Sequence, residues 1–287
     1  MTKSITVTGG DSRQLYMSGY LKEKGYDVKI FACEHGKYPD GIKECLSLDE
    51  AMESEIIILP LPVSKNGSLL NTPLSSYEIR LKDITDRINE NHFVFYGMGT
   101  GNFPKHVQAK AYYSCDYFNI ESLIYKNALL TSEGILSIIL EKLPLTVFGL
   151  KAAITGYGRI GAFTAEMLKR LGADVTVFAR DEIQLLKANL SGISSHNISE
   201  LCNFAPYFDV IINTVPHIIV DSKAIKNSNY SCVFIETASA PYGIDAEACA
   251  QYGRTLIKAF SLPGKTAPKS AGIIIGETIH NQLQEVK

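Results

Sequence analysis

The chain has 287 residues, 46 % hydrophobic and 20 % charged, so it can bury an ordinary core and lacks the composition of a disordered chain. Its 28 basic and 30 acidic side chains leave a formal charge of −2, which argues against a general binder of nucleic acid or anionic membrane. The length fits two domains of roughly 150 residues each.

Met1-Thr2-Lys3 runs directly into an Ile5–Thr8 strand, leaving no room for a signal peptide. Ser12 to Gly25 supplies a helix and its stop, and further strands are predicted at Val28–Phe31, Ile56–Leu59, Phe93–Tyr96 and Ala111–Tyr113. The longest apolar run, Ile56 to Val63, is broken by Pro60 and Pro62 and falls short of the ~20 residues of a membrane span. An apolar-periodic stretch from Ile120 to Leu143, closed by Pro144, reads as a long connecting helix. A second strand series follows at Ala152–Thr155, Val175–Ala179, Val210–Asn213, Val233–Glu236 and Thr255–Ile257, and Lys269 to Gln284 forms a last helix. This alternation predicts an α/β protein. It has two doubly wound parallel-sheet domains of Rossmann or flavodoxin type, joined by a long helix with a cleft between them. The expected parts are an N-terminal domain over 1–120 completed by a C-terminal helix at 269–287, the connecting helix at 121–144, and a dinucleotide-binding domain over 145–268. The six cysteines show no metal-ligand spacing, so no metal site is expected and reduced, mostly buried thiols of a cytoplasmic protein are the reading.

The clearest motif is Gly156-Tyr157-Gly158-Arg159-Ile160-Gly161. It follows a predicted strand and opens a helix whose buried stripe is read as Ile160, Phe163, Met167, Leu168 and Leu171. The Thr164 hydroxyl is expected to bond back to the Ile160 carbonyl, and Gly172 stops the helix. In this context the three glycines serve a tight turn, close approach of backbone to a pyrophosphate, and helix–strand packing. All six residues of the motif are cofactor-binding candidates. The next strand ends in Phe178-Ala179-Arg180 with no carboxylate to chelate the ribose hydroxyls of NAD. The Arg180 guanidinium suits a 2′-phosphate, so NADP is the expected cofactor, with NAD less favoured.

Several segments together resemble one family, the dipicolinate synthase A subunits. They are Gly9-Gly10-Asp11-Ser12-Arg13-Gln14, Asn127 to Gly134, the glycine motif, Asn213-Thr214-Val215-Pro216, Thr237-Ala238-Ser239 and Leu262 to Gly272. The resemblance implies a formate/glycerate-dehydrogenase-like fold and a nicotinamide-dependent oxidation of dihydrodipicolinate to dipicolinate in spore formation. It also implies the flavoprotein-like B subunit of the synthase as partner, and it adds Thr214, Pro216 and Thr237 to the cofactor-binding candidates. A homo-oligomer is compatible with it. The Tyr242-Gly243 pair departs from the glycine pair common in the family.

A pyridine dicarboxylate needs positive charge and N–H donors. Arg13, with the amides of Gly9 to Arg13 as an anion-binding turn, and Lys269 with Ser270 at the start of the last helix are the candidate carboxylate receivers. Asn127, Thr131 and Glu133 on the connecting helix complete the substrate-binding set. His217, after Pro216, and Lys269 are the candidates for the reacting centre. Lys265 and the remaining histidines (His35, His92, His106, His196, His280) read as surface residues. A D-2-hydroxy acid dehydrogenase shares this plan. However, the loop where it needs an arginine reads Thr237-Ala238-Ser239, and its Pro-His pair is replaced by Pro268-Lys269. A non-catalytic NADP-binding regulatory subunit is the alternative from another class.

Overall fold

The β-branched runs pair into two parallel sheets in a computed structural model that describes residues 3–286. The chain divides into two compact units, one taking the residues up to Asn127 together with those from Ala267 onward, the other Ala128–Thr266. In the first unit, β1 (Ser4–Thr8), α1 (Ser12–Glu23), β2 (Asp27–Phe31), β3 (Lys43–Glu44), α2 (Leu48–Ala51), β4 (Ile56–Ile58), α3 (Leu81–Thr85), β5 (Phe93–Tyr96), α4 (Phe103–Lys110) and β6 (Tyr113–Asp116) follow in order. The long helix α5 (Glu121–Lys142) comes next. The second unit continues with β7 (Lys151–Thr155), α6 (Arg159–Arg170), β8 (Asp174–Ala179), α7 (Glu182–Leu190), β9 (Ser194–Asn197), α8 (Leu201–Phe204), β10 (Val210–Asn213), α9 (Ser222–Asn227), β11 (Val233–Glu236), α10 (Ala246–Gln251), β12 (Thr255–Lys258) and α11 (Leu262–Thr266). Helix α12 (Pro268–Glu285) returns to the first unit.

Both sheets have one topology, β3-β2-β1-β4-β5-β6 and, in mirror order, β12-β11-β10-β7-β8-β9. Strand order therefore reverses between β1 and β4 in one unit and between β7 and β10 in the other, the places where a doubly wound sheet opens a crevice at its carboxyl edge. Neighbouring residues alternate between two apolar layers. Ile56 and Ile58 pack on one face of the first sheet and Ile57 on the other; Val210 and Ile212 oppose Ile211 in the second. Burial on both faces is why these strands read as unbroken apolar runs.

Several sequence expectations need correction. The strand expected at Ala111–Tyr113 is β6, at Tyr113–Asp116, and the short β3 and the polar edge strand β9 have no counterpart among the expected strands. On α6 the buried face is Gly161, Thr164, Ala165 and Leu168, while Leu171 is 46 % exposed. The Thr164 hydroxyl donates to Ser132 Oγ (3.0 Å), not to the Ile160 carbonyl, and this polar pair is itself buried. His92 is buried: its Nδ1 accepts from the Asn89 N–H (3.1 Å) and its Nε2 donates to the Met52 carbonyl (2.9 Å). Helix α5, at 22 residues, is long and apolar enough by composition to cross a membrane, which counting uninterrupted runs passed over. Its Ile135 and Ile139 lie in the core of the second unit, as does Leu143 just after it.

Helix α12 lies against α1 because two glycines allow it. A Cβ at Gly272 would sit 2.3 Å from the Arg13 carbonyl, and one at Gly276 would meet the Tyr20 ring at 2.7 Å. The order of these contacts puts the N-termini of α1 and α12 at the same end of the first unit, the carboxyl edge of its sheet.

Candidate functional site

The two reversal points differ in what fills them. In the first unit the chain occupies its own crevice. Gly9 N–H donates to the Phe31 carbonyl, as Gly156 does to Phe178 in the second unit, but here Gly10 N–H also donates to the Asn71 carbonyl and Asp11 N–H to Gln14 Oε1. Arg13 N–H donates to Asp11 Oδ1 (3.0 Å). The Arg13 guanidinium is buried and forks onto both Asp11 oxygens at 2.9 Å, with a further bond from its Nη2 to the Leu61 carbonyl in the loop after β4. An arginine so engaged bridges the β1 and β4 loops instead of waiting for a carboxylate. The anion-binding turn read from the sequence is therefore closed by protein acceptors.

The second unit keeps its turn open. Gly156, with φ +85°, sits where a Cβ would strike Val215 at 2.6 Å, and a Cβ on Gly161 would lie 2.3 Å from the Gly156 carbonyl. Those two glycines serve the chain's own packing. Gly158 is different: its φ of −78° suits any residue, and a Cβ there would meet nothing within 4 Å. It caps α6 with no side-chain bond to the helix amides. Backbone N–H groups of a helix N-terminus thus border free space beside a residue without a side chain, the arrangement that receives a phosphate. The Tyr157 N–H, in contrast, is held by Gln184 Oε1 at 2.8 Å. The Tyr157 ring is buried in the apolar core, so its role in the turn is through backbone. Arg159 is exposed at the start of α6 and Ile160 half-buried behind it.

Arg180 follows β8 directly and is exposed. It lines a cavity of 240 Å³ with Ser199, Cys202, His217 and Asp221. Asp181 does not reach into it: its Oδ1 caps α7 by accepting from the Ile183 N–H (2.8 Å). Asp221 likewise caps α9 through the Ala224 N–H (2.9 Å). His217, expected from the sequence at the reacting centre, lines the same cavity as Arg180. Pro216 is exposed in the same loop.

Behind the turn, the ends of β7, β10 and β11 form one buried polar network. Glu236 is 2 % exposed and accepts four N–H bonds, from Asn213 Nδ2 (2.7 Å), Ala238 (2.9 Å), Gly243 (2.7 Å) and Ile244 (2.9 Å). Asn213 also accepts from the Thr155 hydroxyl (2.7 Å) and donates to the Val215 carbonyl (3.0 Å). The hydroxyls of Thr214 and Thr237 donate to the Thr155 and Asn213 carbonyls (2.8 and 2.6 Å), so toward a ligand each offers only its lone pairs. The loop from Thr237 to Gly243 is therefore hung from a carboxylate. Within it, Tyr242, at φ 66°, stacks on Phe260 with ring centroids 5.1 Å apart.

Of the substrate candidates, Lys269 and Ser270 are exposed in the first turn of α12, which has no side-chain cap. On α5, Asn127 and Thr131 are one turn apart and share a face. Glu133, two positions on, is exposed while Thr131 is buried. The six candidates are divided by the unit boundary: Arg13, Asn127, Lys269 and Ser270 belong to the first unit, Thr131 and Glu133 to the second. The sequence reading missed Gln184 and Glu236. A lone glutamate closing the apolar run Val233-Phe234-Ile235, and the Asp-x-x-Gln spacing after β8, were the available signals.

Two equal doubly wound units, one with its crevice filled and one with an open glycine turn, define a two-domain Rossmann-type protein. Residues 4–118 match the family of N-terminal domains of the dipicolinate synthase A subunit. Over 290 residues the chain is 28 % identical to the dipicolinate synthase A subunit of Bacillus subtilis, covering 99 % of this chain and 96 % of that one. The crystal structure of that B. subtilis A subunit superposes with a TM-score of 0.86 at 26 % identity, over 100 % of this chain and 97 % of that one. The A subunit from Bacillus halodurans shares the fold, with a TM-score of 0.87 at 23 % identity over 98 % and 97 % of the two chains. Along its whole length the chain is similar to the dipicolinate synthase A subunits, and its first unit matches their N-terminal domain family.

Proposed function

We propose that this chain is a nicotinamide-dependent oxidoreductase that converts dihydrodipicolinate to dipicolinate, with NADP as its cofactor. The observation that carries the reading is Gly158. The fold has no need of a glycine there, yet the space beside it is empty and borders the N-terminus of α6. In this reading the amides from Gly158 to Gly161 hold the pyrophosphate and Arg180 takes the ribose 2′-phosphate. His217, in the same cavity, is a ribose-side group. Bound there, the nicotinamide supplies a two-electron hydride acceptor.

Lys269 and Ser270, on the uncapped N-terminus of α12, receive a substrate carboxylate through charge and N–H donors. Loss of hydride from the dihydro ring creates an aromatic one. The accompanying proton then leaves to water or a weak base, and a strong His–carboxylate pair is not required. Arg13 has no part in substrate binding in this reading, because Asp11 and the Leu61 carbonyl hold its guanidinium.

The family resemblance supports a flavoprotein-like second component as partner, a place in spore formation and a cytoplasmic setting. The test is to supply dihydrodipicolinate and NADP to the purified chain, alone and with the co-expressed partner, and to follow reduced nicotinamide by absorbance and dipicolinate by chromatography. Product formation that is fast only with both components is expected. No nicotinamide reduction under either condition would overturn the enzymatic reading, and full turnover by the chain alone would overturn the need for a partner.

A further inference from the structure

Two helices of this chain open with the same Asp-x-x-Gln spacing, and the two glutamines behave differently. At α1 the sequence Asp11-Ser12-Arg13-Gln14 closes on itself: Gln14 Oε1 accepts from the N–H of Asp11, completing a capping box. At α7 the sequence Asp181-Glu182-Ile183-Gln184 keeps only the first half, in which Asp181 accepts from the Ile183 N–H. Gln184 Oε1 instead reaches out of its helix to the Tyr157 N–H, between the first two glycines of the open turn.

We infer that Gln184 is a positioning residue for the dinucleotide site: it locks the glycine turn to the helix that begins beside Arg180. This rests on the reading of that turn as a dinucleotide site. The geometry supports it in three ways. The bond takes up an N–H that would otherwise compete with the α6 amides for orientation toward a ligand. It spans from the turn after β7 to the first turn of α7, so the phosphate end and the ribose end of the site are tied through one side chain. And Tyr157 is fixed from its other side by the burial of its ring in the core, so holding its N–H defines the peptide plane that joins Gly156 to Tyr157. An organised turn loses less conformational entropy when a dinucleotide arrives. Because Gln184 acts on backbone common to both cofactors, it sets affinity for NADP and NAD alike, whereas Arg180 separates them.

The experiment uses the intact chain, with Gln184→Ala, Gln184→Glu and Arg180→Ala as variants. Calorimetric titration with NADP and with NAD is combined with amide hydrogen exchange of the Tyr157 segment in the absence of cofactor. Gln184→Ala is expected to weaken both cofactors about fivefold with their ratio unchanged, and to speed exchange at Tyr157. Gln184→Glu, which retains an acceptor for that N–H, is expected to restore the slow exchange. Arg180→Ala is expected to change the ratio and leave exchange at Tyr157 as in the wild type. Binding by the wild type, together with unchanged affinity or unchanged exchange in Gln184→Ala, overturns this inference alone. Failure of the wild-type chain to bind either cofactor overturns the dinucleotide reading and this inference with it.

Discussion

Replacing Glu236 by Gln tests whether the loop from Thr237 to Gly243 hangs from a buried charge. Both Glu236 oxygens receive only N–H donors, two each, the bonding pattern of a carboxylate. A glutamine keeps one acceptor oxygen and turns an NH₂ toward the two donors on the other side. Two charge-assisted bonds are lost, at about 1.5–3 kcal/mol each, and the displaced donors stay buried. Removing a buried charge gives some of this back, since it relieves the cost of desolvation. The net loss is expected to be about 3 kcal/mol on the same scale. Urea unfolding followed by far-UV circular dichroism measures it directly, with the slope checked for constancy so that a shift in midpoint reports stability. The same variant should bind dinucleotide weakly, because either the Asn213 side chain and Ala238 or the amides of Gly243 and Ile244 lose their anchor. A Glu236→Gln protein within about 0.5 kcal/mol of wild type would refute the reasoning, since a protonated carboxyl in that position would be replaced almost without effect.

Arg180→Ala should erase most of an NADP preference of at least about tenfold, ~1.4 kcal/mol, while NAD affinity barely moves; equal wild-type affinities, measured by calorimetry, would contradict this. Arg13→Ala should destabilise the first unit by about 1.5–3 kcal/mol, the scale of a hydrogen bond to a charged group, yet leave dicarboxylate affinity of the folded protein unchanged; a selective loss of dicarboxylate binding at wild-type stability would return Arg13 to the substrate site. Cys202, half-buried in the Arg180 cavity, should react with iodoacetamide more slowly when NADP is bound. Cys33 and Cys232, whose thiols burial pushes up to about 12, should stay unlabelled in the native protein at a mildly alkaline pH; mass spectrometry of the modified peptides reads both outcomes.

The parallel α/β architecture was legible because its strands are buried on both faces. Runs such as Ile56-Ile57-Ile58 and Val210-Ile211-Ile212 have no other economical use in a chain of this composition. What escaped was structure without an apolar signature: β9 is Ser-Ser-His-Asn, and it pairs only along an edge of β8. The glycine turn was legible in sequence because strand, glycines and helix follow one another locally. The roles of polar side chains were not, because they depend on partners far away in the chain. Arg13 looks like a free cation until Leu61, 48 residues on, is seen to accept from it. Thr164 finds Ser132, and Glu236 finds Asn213, across comparable stretches of chain. A periodic helix fixes its own face only to within a residue or two, which is how Leu171 was assigned inward and proved exposed.

The proposal that the second unit's turn is kept open for a dinucleotide is tested most directly at Gly158. Gly158→Val places a side chain where the protein has none nearby, at a backbone conformation valine adopts freely. Calorimetric titration of NADP into wild type and variant, with thermal unfolding of both, is the decisive measurement. The expected result is the same unfolding profile for the two proteins and dinucleotide binding by the wild type only. A well-folded Gly158→Val protein that binds NADP as tightly as the wild type would contradict it.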